Sequence, residues 1–211
     1  MNIDFWNQKW EKNEIGFHES KPNPLLVAYF KELDLVKTSR VFLPLCGKTL
    51  DIVWLLSKGL RVTGAELSKL AIEQLFIELG VEPEITECGN AKRYRATNID
   101  VFVGDFFYLS SDVLGPVDAI YDRAALVALP EEMRKRYTTH LLEITGAAEQ
   151  LLITFEYDQS LMKGPPFSLS NDEVNRHYKD AYNLTHLGNI AVPGGLKGIC
   201  KATENIWLLK K

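Results

Sequence analysis

The residues best placed to do chemistry are Gly47 and Glu66, in the stretch VFLPLCGKTLDIVWLLSKGLRVTGAELS over residues 41–68. A glycine just after a buried strand lets a ligand approach the backbone closely, because it has no Cβ. A carboxylate about twenty positions further on, at the tip of the next strand, can accept hydrogen bonds from both hydroxyls of a ribose. The pair points to a nucleoside-type ligand. One glycine is far less than a G-x-G-x-x-G loop, so the spacing leaves both a dinucleotide and S-adenosylmethionine open. A plain turn at Gly47 and a solvated strand end at Glu66 would give the same spacing.

Three further groups invite a chemical reading. Gly104-Asp105-Phe106-Phe107 follows a run of β-formers; a carboxylate and a phenyl ring there suit an adenine, whose amine donates and whose face stacks, and a loop acid beside core aromatics fits equally well. Asp122-Arg123 closes another apolar run. An arginine at that tip can pair with a ligand carboxylate, although the pattern by itself has the two charges pair with each other. The leader FWNQKWEKNEIGFH carries Trp6 and Trp10 one helical turn apart, with Phe17 beyond. Such a face either clamps the leader to the domain or covers a bound cation with aromatic rings; the sequence alone favours the clamp. Asp122, Glu156 and His18 could take a proton, and none is assigned that role. Cys46, in the glycine turn, reads as a small packing residue rather than a nucleophile.

These groups need elements to hold them. Val41–Pro44 is an apolar run suited to a strand buried on both faces. Lys48–Ser57 has helical apolar spacing and ends at Gly59, and Leu60–Ala65 is a second buried strand. Ser68 caps a helix over Lys69–Leu79 that Gly80 ends. The polar stretch Glu82–Lys92 is expected to be a loop. Tyr94–Val103, Val117–Tyr121 and Leu151–Phe155 read as strands, and a long amphipathic helix starts near Pro130. Leu184–Ile190 and Thr203–Leu209 are expected to form a closing hairpin around Pro193-Gly194-Gly195. The count is about seven strands in an α/β, Rossmann-like doubly wound sheet with an antiparallel C-terminal finish. That finish fits a methyltransferase sheet better than an ordinary dinucleotide sheet. A single domain over 1–211 is expected.

Composition narrows the classes of function. At 211 residues, with 46% hydrophobic and 25% charged residues, the chain suits one ordinary globular domain. A net charge of −4 argues against nonspecific grip on nucleic acid or on an anionic membrane. No apolar run approaches a bilayer-spanning length, and the first residues lack the apolar core of a secretory signal, so a cytoplasmic location is expected. Cys46, Cys88 and Cys200 lie far apart, without metal-site spacing. The expected partner is a small molecule, the expected state a monomer.

The chain resembles the bacterial thiopurine S-methyltransferases, class I enzymes that use S-adenosylmethionine. The matching stretches include FWNQKWEKNEIGFHESKPNPLL, VFLPLCGKTLDIVWLLSKG, VTGAELS, GDFF, YDRAALVALPEEMRKRYTTHL and LLITFEYDQSLMKGPPFSL, within residues 5 to about 174. The resemblance implies that residues 1–24 are an aromatic lid segment whose Trp10 and Phe17 close over the cofactor, with Phe17 also near the acceptor. It implies that Leu45 and Gly47 pass beneath the methionine part and that Glu66 holds the ribose. Asp105 and Phe106 would bracket the adenine, and Arg123 would order the cofactor's polar end. The implied reaction is methyl transfer to the sulfur of an aromatic or heterocyclic thiol, such as a thiopurine, or to selenium or tellurium compounds in detoxification. The residues alone leave two rivals, a nicotinamide-dependent oxidoreductase and a non-catalytic nucleoside-binding module.

Overall fold

The computed structural model describes residues 3–211. Its centre is a strand–helix–strand unit: β1 (Arg40–Pro44), a helix at Leu50–Ser57 and β2 (Arg61–Glu66), with β1 and β2 parallel and in register from Arg40 opposite Arg61 to Pro44 opposite Ala65. Alternation along β1 sends Val41 and Leu43 to one face and Phe42 to the other, and all three are buried. That is why the run is apolar throughout rather than alternating.

The helix at 50–57 starts two residues later than its apolar pattern, because the Thr49 side chain accepts from the Asp51 amide and caps it there. The next helix, Lys69–Leu79, is capped by Ser68, whose Oγ accepts from the Ala71 amide, and closed by Gly80 in the left-handed region. β5 (Ile99–Val103), β6 (Ala119–Arg123) and β7 (Glu149–Tyr157) complete a parallel group ordered β5-β2-β1-β6-β7. β8 (Asn183–Ala191) and β9 (Ala202–Lys210) form the expected hairpin, with β9 antiparallel to β7. A helix at Glu131–Thr145, with Pro130 at its N-cap, and another at Asn171–Tyr178 bury the second face.

Among the described residues the sheet has nine strands rather than about seven. Glu84–Cys88, expected to lie in a loop, is strand β3, paired antiparallel with β4 (Ala91–Ala96), which in turn pairs with β5. β3 lies at the sheet edge with most of its residues exposed, so no apolar alternation marks it. Pairing holds it instead, helped by the Glu87–Lys92 ion pair directly across the hairpin. The run 94–103 is two strands because Asn98, at φ 62°, turns the chain between them.

Candidate functional site

The carboxyl ends of β1, β2, β6 and β7 open into one cleft of about 980 Å³, roofed by the leader and by the segments around Pro165 and Leu196. The volume lies at the upper end of ordinary small-molecule sites, room for a nucleoside-sized ligand and a second small one.

The floor is the turn that leaves β1. Leu45 (φ 48°) and Gly47 (φ 53°) both adopt left-handed backbone there, and the Cys46 amide donates to Ala65 O at 3.0 Å, fastening the turn to β2. At Gly47 a Cβ would stand 2.9 Å from the Trp10 indole. The missing side chain is thus a requirement of packing as well as of backbone angle. At the tip of β2, Glu66 accepts from the Gly47 amide through Oε2 and from the Ser68 amide through Oε1, both at 2.8 Å. Burial pushes its carboxyl up, and these amides pull against that shift. Each oxygen retains a further lone pair for another donor.

At the tip of β6 the two charges part. Successive residues of a strand face opposite sides. Asp122 therefore turns inward, accepting from Tyr137 Oη at 2.7 Å and from the Leu126 amide at 3.2 Å. Arg123 faces the cleft, so the expectation that the two charges pair with each other is corrected. Arg123 donates to Phe17 O at 3.3 Å and pairs with Glu19, while its Nε is buried without a partner among the described residues. Asp122, fully buried, is pushed up to about 6.

The leader forms a helix over Ile3–Glu11, then a turn that returns Phe17 against it. Phe17 meets Trp6 edge-on at 5.9 Å and Trp10 at 5.4 Å. Trp10 is buried over Gly47. The root of the leader is fixed by Asp51, which accepts from the Asn23 amide at 2.7 Å and from Tyr121 Oη at 3.0 Å.

Trp10, Phe17, Leu45, Gly47, Glu66 and Arg123 all line this one cleft. Asp105 and Phe106 do not. Asp105 follows β5 and caps a short 3-10 turn at Phe106–Tyr108 by accepting from the Phe107 amide at 3.0 Å; the Phe106 ring packs in the core against Tyr137 and His140. Their tip adjoins that of β2, where the Gly104 amide donates to Glu66 O at 2.9 Å. Of the three proton acceptors considered from sequence, only His18 lines the cleft, with Nδ1 buried and unpartnered; burial, then Lys48, holds it below the usual histidine range. Glu19, Asp51, Tyr121 and Glu204 also line it and carried no motif. Asp51, in the first turn of a helix, offered the only local signal, and that signal reads as a cap.

The profile of the family described as Thiopurine S-methyltransferase (TPMT) matches residues 1–211. The chain belongs to that family. Relatives named Thiopurine S-methyltransferase include those of Xanthobacter autotrophicus, 53% identical over the whole of both chains, and Teredinibacter turnerae, 51% identical over all of this chain and 98% of the relative. Among solved structures, the fold is shared with the 1,6-didemethyltoxoflavin-N1-methyltransferase of Burkholderia thailandensis (TM-score 0.67, 14% identity, 99% of this chain and 87% of that one). It is shared too with the magnesium protoporphyrin IX methyltransferase of Synechocystis (TM-score 0.68, 12% identity, 99% and 98%). Both were solved with S-adenosylhomocysteine. The thiopurine S-methyltransferase family membership makes this chain an S-adenosylmethionine-dependent S-methyltransferase and sets aside the two rivals that the residues alone left open.

Proposed function

We propose that the acceptor is the sulfur of a small aromatic or heterocyclic thiol, thiopurines among them, with selenium and tellurium compounds as further acceptors in detoxification. The observation that carries this reading is the apolar lining that Phe17, Val127, Phe155, Pro165, Pro166 and Leu196 give to the cleft that Arg123 also lines. Flat apolar molecules fit such walls, and the relatives named for thiopurines point the same way.

The residues present suit S-adenosylmethionine. Glu66, held by two amides, accepts from the ribose hydroxyls. The turn of Leu45 and Gly47 forms the floor by the methionine part; the space over Gly47 itself is taken by the Trp10 indole, which with Phe17 supplies aromatic rings that favour a sulfonium. The unpartnered Nε of Arg123 supplies a buried donor for the cofactor's carboxylate. Asp105, at the neighbouring strand tip, lies on the side toward which the adenine would extend, whereas the ring of Phe106, expected to bracket the base, is buried in the core against Tyr137 and His140 and is not available to stack on it. When bound, the cofactor supplies the methyl group, which the acceptor sulfur takes as the donor's sulfur–carbon bond breaks and the thiol proton leaves to water. The chain's part is alignment and exclusion of water, since an aromatic thiol is acidic enough to need no strong base. The protein acts as a monomer in the cytoplasm, with residues 1–24 as a lid; the first two of these lie outside the described residues. No described helix is long and apolar enough to cross a membrane.

Calorimetric titration with S-adenosylhomocysteine, with NAD in parallel, comes first; saturable binding of the former alone is expected. An acceptor screen with a thiopurine and an inorganic selenium compound follows. Methylation of neither, by protein that binds the cofactor product, would overturn the acceptor reading.

A further inference from the structure

Arg123 is the cation beside the acceptor half of the cleft, and its charge is already spoken for. Glu19 pairs with it, and Glu204, which lines the same cleft, lies near enough for its carboxyl, raised chiefly by burial, to feel Arg123 and Glu19. Two carboxylates thus lie beside one guanidinium. The other cleft cations are committed elsewhere: Lys9 pairs with Glu14 and Lys48 with Glu78. Lys197 stands exposed at the rim, its Nζ donating to Pro165 O at 2.7 Å. The remaining buried donor of Arg123, Nε, suits the carboxylate of the cofactor.

We propose that Glu19, by neutralising Arg123 with Glu204 nearby, makes this enzyme select acceptors whose rings carry no charged substituent over acceptors whose rings carry a carboxylate. The inference rests on the acceptor reading above and deepens it by naming the charge class of the acceptor's substituent. An acceptor carrying a carboxylate would enter a desolvated space whose one guanidinium is already paired with Glu19 and has only Nε left, the donor suited to the cofactor. An amide of the same shape meets no such penalty. Selection of this kind comes from a built-in repulsion rather than from an added attraction. Exchanging Glu19 for glutamine keeps size and hydrogen bonding but removes one negative charge from beside Arg123.

The test compares 4-mercaptobenzamide with 4-mercaptobenzoate, matched in shape and different in charge, at saturating S-adenosylmethionine, so that changes in cofactor affinity cancel. In the parent enzyme kcat/KM should favour the amide by about tenfold or more, equivalent to about 1.4 kcal/mol. In Glu19→Gln that preference should shrink by about tenfold, and in Glu204→Gln by a smaller factor in the same direction. A parent that favours the carboxylate, or variants that bind S-adenosylhomocysteine normally yet keep the parent's preference, would overturn the proposal. Should Glu19→Gln not fold, the Glu204→Gln ratio decides. If neither thiol is methylated although the cofactor product binds, the acceptor reading has failed, and the selection is then read from calorimetric binding of the two thiols to the S-adenosylhomocysteine complex. The same order of affinities is expected there, and equal affinities would sink it.

Discussion

The two halves of the cleft are built differently. The proposed cofactor half rests on one contiguous unit, residues 41–68, where the Gly47 amide of the β1 turn and the Ser68 amide after β2 hold Glu66 in place. The acceptor half is assembled from the leader, the tip of β6, the Pro165 segment and the segment leading into β9, joined by single side-chain contacts such as Arg123 to Glu19 and Lys197 to Pro165 O. Backbone donors cannot be substituted away, whereas side-chain contacts can. The first half is therefore suited to a fixed ligand, and the second is where substrate preference can change without loss of the fold.

The sharpest way to break this contrast is Glu66→Ala. It removes a buried charged acceptor and should weaken binding of S-adenosylhomocysteine by roughly 2–3 kcal/mol; unchanged affinity by calorimetry would dissolve the cofactor half as described. Asp122 belongs to the frame beneath both halves. Its carboxyl is raised by burial to about 6, so its contribution to stability is complete below the ordinary aspartate value and is lost as pH rises through about 6. Asp122→Asn cannot ionise and should lose less stability between pH 4 and 7 than the parent, by about 2 kcal/mol in denaturant titrations. Parallel pH curves for the two proteins would contradict the assignment. Trp10→Ala and Phe17→Ala touch both halves at once: turnover should fall, and the leader should be cut faster by protease in the presence of S-adenosylhomocysteine. Equal protection in variant and parent would remove the lid. The smallest effect is expected for Lys197→Met. Loss of one exposed hydrogen bond, worth less than about 1 kcal/mol, should raise the acceptor KM a few-fold and leave the cofactor Kd alone. A change in the cofactor Kd instead would blur the division.

The same contrast explains what could be read from the sequence. The unit at 41–68 is legible because its signals are local: a doubly buried apolar strand, a capped helix, a glycine turn and an acid at the next tip. The family resemblance suggested a lid role for the leader and named eight cofactor residues, of which six line one cleft. Strand β3 escaped notice because both its faces meet water, leaving pairing as its only organiser. Glu19 and Glu204 were invisible for another reason. Glu19 reaches its partner Arg123 across 104 positions of chain, and nothing in either neighbourhood records that meeting. The pairing of Asp122 with Arg123 was the natural reading of adjacent charges, and strand alternation alone was enough to separate them.

Asp51 has a consequence for the rhythm of the enzyme. By holding the Asn23 amide and Tyr121 Oη together, it pins the root of the leader to β6, and Arg123 holds the same segment again at Phe17 O and Glu19. Trp10 over the floor glycine and Phe17 with Glu19 beside Arg123 lie on that one segment. On the proposed lid role, the contacts of Arg123 would have to part before the segment moved, and the cofactor and acceptor spaces would be uncovered together.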